Sequence, residues 1–195
     1  LIQRDYSIGG FYDYYTRGGL SNVDKKETPQ KPAGPESRTD TGRPVYSGGG
    51  ITPDESVKPR TINAAQIRLL NPLFFFTREV VNGRIPGFDS YKVERVVDYN
   101  RKIQPADFPV TDALFKAFRD YVASKPEWKA LVAQLDHQRA FVDVQLRFDL
   151  ITAAYGRVAA DQVLVYDDPQ VARAIEVMPR AKELAMTALR ARREP

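Results

Sequence analysis

The chain has 195 residues and a mass of 22.0 kDa, room for one domain or at most two, and its 43% hydrophobic and 28% charged content is that of an ordinary globular protein. With no cysteine and a single histidine it excludes disulfide scaffolds, thiolate nucleophiles and Cys/His zinc sites, leaving carboxylate, hydroxyl, lysine and backbone chemistry. The formal charge of +4 is not gathered among aromatic residues in the sequence, as a nucleic-acid patch requires; its surplus sits in the tail, on Arg180, Lys182, Arg190, Arg192 and Arg193 against Glu183 and Glu194, where cations suit a helix C-terminus.

Residues 1–60 hold nine of the 12 glycines and a loop-like run over 28–35. Each interior Gly costs a helix about 1 kcal/mol relative to Ala and each Pro about 3 kcal/mol, so this stretch predicts loops with a few short strands. Leu1-Ile2-Gln3 and Arg43-Pro44-Val45-Tyr46 are the extended pieces, and residues 18–38 are expected to be mobile. Tyr6, Phe11, Tyr12, Tyr14 and Tyr15 crowd one segment; without a basic cluster beside them, they read as rings lying on a neighbouring element rather than as a base-stacking platform. The Gly48-Gly49-Gly50 run is neither a phosphate loop nor a dinucleotide fingerprint, because Ile51-Thr52-Pro53-Asp54 follows it as a turn and not as a helix start. Ser47 lacks the preceding glycine of a nucleophile elbow.

From Thr61 onward the pattern is helical. Ile62, Ala65, Gln66 and Leu69 follow the 3.6-residue period, and Asn71-Pro72 reads as the cap and first position of a second helix over 72–82, stopped by Gly83. Phe74-Phe75-Phe76 makes that helix apolar on more than one side, hence largely buried. The alternation of Tyr91, Val93, Val97 and Tyr99 with polar residues predicts a strand or hairpin arm. Thr111 caps a helix over 112–123 with Leu114, Phe115, Phe118 and Val122 on one face. A helix over 126–155, about 45 Å long, follows and ends at Gly156; its length suggests a contact with another chain, through positions such as Leu135 and Val142. Short helices over 158–165 and 169–178 and a basic one from Pro179 to about residue 193 complete the body. No stretch approaches the ~20 apolar residues of a membrane span.

Two further features carry no catalysis in this reading. His137, between Asp136 and Gln138, reads as a solvated or partly packed residue rather than a general base. Asp167-Asp168 reads as a helix cap before Pro169 rather than a cation site.

Residues 39–54, TDTGRPVYSGGGITPD, resemble the segment GR-x-VYGGGGI-x-PD that closes the peptidase domain of the carboxyl-terminal processing, or tail-specific, proteases. The positions that carry the likeness are Gly42, Arg43, Val45, Tyr46, Gly48, Gly49, Gly50, Ile51, Pro53 and Asp54, while Ser47 stands where the family has a fourth glycine. Leu1-Ile2-Gln3-Arg4-Asp5-Tyr6-Ser7 is similar to a strand end of that domain, and Asp168 to Glu176 to a DPQ-x-x-x-A-x-E stretch near the C-terminus of some bacterial members. The resemblance implies a serine nucleophile with a lysine base, in segments of the types GSASASE and GKG-x-x-Q. Neither string occurs in this sequence, so no catalytic residue is carried onto it.

The expected fold class is mainly α (α+β): residues 1–60 as the last strands and loops of a peptidase domain, and residues 61–195 as a helical C-terminal module. By resemblance the parent is a tail-specific serine endopeptidase of the bacterial cell envelope that needs no cofactor and takes protein or peptide substrates through a catalytic part and a PDZ-like domain upstream. This portion would brace the peptidase or form a homo-oligomer, without itself being catalytic. The alternative is a self-contained helical protein-interaction module with no proteolytic activity.

Overall fold

The computed structural model describes residues 34–39, 42, 44–46, 54–94, 98 and 100–191. They are mostly helical, with a short two-stranded sheet before the helices, which is the mainly α class expected. The described residues fall into two units, one over residues 62–172 and the other combining those up to 61 with those from 173 on. Leu1-Ile2-Gln3, the tyrosine-rich segment and the glycine run lie outside the described residues.

In the unit over 62–172, Asn63 and Gln66 form a reciprocal cap: Gln66 N donates to Asn63 Oδ1 at 2.9 Å and Asn63 N to Gln66 Oε1 at 3.0 Å. Helix α1 then runs Ala64–Val81 without interruption. The helix boundary expected at Asn71-Pro72 is therefore absent, and Pro72 is buried inside α1. Leu69, Leu73, Phe76 and Val80 are each at most 1% exposed. Burying such side chains contributes roughly 1.5–3 kcal/mol apiece, which outweighs the proline's cost of about 3 kcal/mol. The phenylalanine triplet is not largely buried either: Phe76 is, but Phe74 is 54% and Phe75 40% exposed, since consecutive side chains on a helix diverge and only one can face this core. The stop at Gly83 is as expected. Gly83, at φ +68°, donates to Val80 O at 2.9 Å and Arg84 N donates to Glu79 O at 2.9 Å, a Schellman closure that satisfies two carbonyls.

The strand expected from Tyr91 fails over its described start. Tyr91 ends a 3₁₀ turn, Asp89–Tyr91, and its buried ring contacts Phe88 and Phe108 while its hydroxyl donates to Pro109 O at 2.5 Å. Residues 95–97 and 99 lie outside the described residues. The alternation lacks a partner strand among the described residues, and ring packing fixes the backbone instead.

Helix α2, Asp112–Ser124, matches its expectation closely: Leu114 N donates to Thr111 Oγ1 at 3.2 Å, and Leu114, Phe115, Phe118 and Val122 are all buried. The long helix over 126–155 does not form. Residues 129–134 and 136–138 are 3₁₀ turns, and the α-helix, α3, begins only at Arg139 and ends at Tyr155. Leu131, Leu135 and Gln138 each donate to a carbonyl three residues back, which tightens the chain so that Leu135 enters the core and Trp128, Leu131 and Val132 cover it. Arg119 pairs with Asp136 and Arg139 with Asp112 at 2.9 Å, tying this segment to α2. Leu135 and Val142 are 0% exposed, so these positions belong to the core and cannot form a contact with another chain.

Gly156, at φ +93° and ψ 172°, joins α3 to α4, Arg157–Tyr166, without a loop, in a conformation nearly reserved for glycine. Ile151 of α3 and Ala159, Ala160 and Val163 of α4 close a second core over Ile103. Helix α5 runs Pro169–Ala191, begun by Asp168, whose Oδ1 accepts from Gln170 N at 2.7 Å and Val171 N at 3.3 Å. Pro179 lies inside α5, so the two helices expected there are one.

In the other unit, β1, Glu36–Arg38, pairs antiparallel with β2, Pro44–Tyr46, with Ser37 opposite Val45. The extended reading of residues 44–46 holds, while residues 36–38, expected to be mobile, form the second strand. Among the described residues, no helix is long and apolar enough to cross a membrane.

Candidate functional site

Of the positions carrying the family resemblance, Gly42, Val45 and Tyr46 lie together in the hairpin. Gly42 N donates to Thr39 O at 2.8 Å, and Val45 and Tyr46 are half-buried. Arg43, Gly48, Gly49, Gly50, Ile51 and Pro53, and Ser47 with them, lie outside the described residues. Asp54 is exposed. Its neighbour Glu55 accepts from Arg173 at 3.1 Å and Arg180 at 3.0 Å, one helical stripe of α5. These groups supply a turn and an ion-pair clamp, and no nucleophile or base.

Within residues 62–172 an open cleft of about 400 Å³ is bordered by Ser90, Tyr91, Asp107, Phe108, Pro109 and Tyr155. A strap over residues 100–110 forms much of its wall. Gln162 Nε2 donates to Arg101 O at 2.6 Å and Gln162 Oε1 accepts from Ile103 N at 3.3 Å, while Arg147 donates to the carbonyls of Gln104 and Asp107. The rings of Tyr91, Phe108 and Tyr155 follow one another at 6.1 and 6.0 Å, and Phe108 sits at φ +49°, a left-handed backbone uncommon outside glycine.

The cleft's Asp107 and Tyr91 are already engaged. Asp107 accepts from Arg101 at 3.0 Å and from Gln104 N at 2.7 Å, and the Arg101 guanidinium lies 4.5 Å from the Tyr155 ring. Asp107 keeps Arg101 charged, its pKa raised above the ordinary value. Burial raises the Tyr91 phenol, which stays neutral while it donates to Pro109. A carboxylate that holds two donors of the strap and a phenol that donates to Pro109 O keep this arrangement in shape. Its one signal in the sequence is the polar, aperiodic run from Asn100 to Asp107 between helices.

The most perturbed carboxylate is Asp149 of α3. Burial pushes it from 3.8 up to about 6, against the opposing hydrogen bond from Gln145 Nε2 at 2.9 Å. In the sequence Asp149 is one polar position within the helix expected over 126–155. His137 is exposed in the turn Asp136–Gln138, outside any α-helix. Asp168 serves as the cap of α5. Among the described residues, no group of three or more His, Cys, Asp or Glu side chains is placed to hold a metal ion.

No protein-family model, curated protein or solved structure matches this chain.

Proposed function

We propose that this chain is the C-terminal portion of a tail-specific serine endopeptidase of the bacterial envelope, an enzyme that cleaves proteins near their C-termini, and that the portion itself is structural. One observation carries the reading. Residues 42–54 follow the family's closing segment with Ser47 as the departure, and three of its described members, Gly42, Val45 and Tyr46, sit in a β-hairpin, in keeping with the last strands of a peptidase domain. Strands of three residues are marginal by themselves and call for a larger sheet. The helices over 62–172 enclose two apolar cores, which suits an appended bracing or docking module.

A second reading, a self-contained helical interaction module, is favoured by the same completeness of residues 62–172. Blotting an extract of the source cells with an antibody raised against this chain separates the two. The peptidase reading expects a band far above 22.0 kDa, and loss of that species' peptidase activity when the upstream serine or lysine is replaced by alanine. A sole band at 22.0 kDa overturns it in favour of the module.

A further inference from the structure

The outward face of α1 is built for contact. The helical period that buries Leu69, Leu73, Phe76 and Val80 turns Ile67, Arg68, Phe74, Phe75 and Arg78 outward, and Ile67, Phe74 and Phe75 are 58%, 54% and 40% exposed. The Phe74 and Phe75 rings meet at 5.7 Å, and Phe75 reaches Trp128 at 5.7 Å. Trp128 in turn meets Tyr121 at 6.0 Å, so the rings form a continuous surface from α1 to the end of α2. Cations lie on it. The Arg78 guanidinium is 6.0 and 5.6 Å from the Phe74 and Phe75 centroids, and Lys125 Nζ is 5.3 Å from that of Tyr121. Such cations are positioned over the ring faces. Of the neighbouring carboxylates, Glu79 is paired with Arg84 at 3.2 Å, and Glu127 is left against Arg68, Arg78 and Lys125, so the face is positive on balance.

Size and sign narrow the occupant. Two aromatic side chains of roughly 150–250 Å² each, about half exposed, with Ile67 two turns before Phe74 on the same helix face, offer on the order of 300 Å² of apolar surface. A standard interface takes about 800 Å² from each partner, so this face is too small for a stable contact between two copies and suits one short segment. We infer that the Ile67–Phe74–Phe75–Trp128 face docks an acidic amphipathic helical segment of another protein, with its apolar anchors on the rings and its carboxylates toward Arg68, Arg78 and Lys125. Aromatic and arginine side chains at the centre of a small interface carry most of its binding energy, and the cations select the sign of the partner. This inference stands whichever reading of the whole protein holds.

Trp128 is the only tryptophan of the chain, so its emission reports on this face without a label. The full chain is titrated with a synthetic helical peptide bearing leucine at i, i+3, i+4 and i+7 and glutamate along its flanks. The control is the same peptide with lysine for glutamate, and sedimentation gives the mass. The expected result is a saturable emission change with the glutamate peptide, weakened by salt, and an affinity loss of about tenfold or more in both Phe74→Ser and Arg78→Glu, with helical circular dichroism unchanged. Because both residues are exposed, these variants keep the core intact. Equal binding of the lysine peptide, no saturable change, tighter binding of oligo(dT), or a chain dimer that Phe74→Ser dissolves would each overturn the inference.

Discussion

Helices α1 and α5 each carry an interior proline, yet different things hold them together. Pro72 of α1 is itself buried among Leu69, Leu73 and Phe76, so the core absorbs the missing hydrogen bond. Pro179 of α5 is exposed, and Ile175, Met178, Leu184, Met186 and Leu189 around it are 44–67% exposed. What α5 has across its proline is Glu55, bridging Arg173 on one side and Arg180 on the other. Exposed pairs of that kind contribute about 0–1 kcal/mol. The same covalent defect is thus offset by burial in one helix and barely offset in the other, which places α5 at the low-stability end of the chain, where local opening starts.

The sharpest break of this comparison is a pair of truncations followed by urea unfolding. Leu73→Ala in α1 is expected to cost about 2–5 kcal/mol, and Ile175→Ala in α5 no more than about 0.5 kcal/mol. An equal cost would mean that the outward side of α5 is covered and the contrast is void. Next in size is Pro179→Ala, which restores a backbone donor at an exposed site and should stabilise α5 locally by up to about 3 kcal/mol, seen as slower amide exchange around the substitution. Pro72→Ala should gain less, because the buried ring's contacts are lost as the bond is made.

Acidity tests the core unit separately from α5. The folded pKa of Asp149, about 6, lies above its unfolded value, so the fold favours the protonated side chain. The stability that this adds is fully present below pH ~4 and is lost as pH rises through about 6. Asp149→Asn keeps an acceptor for Gln145 and cannot ionise. It should flatten that slope and leave the protein about 1–3 kcal/mol more stable at neutral pH in urea titrations, with exchange in α5 unchanged. The smallest effect is expected from Glu55→Gln, about 1 kcal/mol or less, confined to exchange in α5 and diminished by salt.

Local chemistry was legible where it decided the structure. Thr111, Gly83 and Asp168 cap or stop helices through their own side chains or backbone, and the Leu114, Phe115, Phe118, Val122 stripe faces the core as its spacing says. Pro72 misled because sequence shows its cost but not the core that absorbs it, and Pro179 misled without such burial, since it is exposed inside a continuous α5. The 3₁₀ segment at 129–138 was hidden for a related reason: its residues suit an α-helix, and only the seat of Leu135 and the ion pairs to α2 bend it. Of the candidate site, the extended backbone of residues 44–46 was legible. The α1 face was not, because Trp128 lies about fifty residues from Phe75 in sequence and meets it only through packing.

One side chain of α4 acts toward the strap as a piece of main chain. The carboxamide of Gln162 offers the donor and the acceptor that a neighbouring peptide group would, and it joins Arg101 O and Ile103 N as an adjacent strand does. The strap's alignment on α4 is therefore set at a single position, and glutamate there would turn the donor facing the Arg101 carbonyl into a repelling oxygen. An otherwise irregular connection is thus aligned on α4 by one amide, and the Ile103 side chain enters the second core where its backbone meets Gln162.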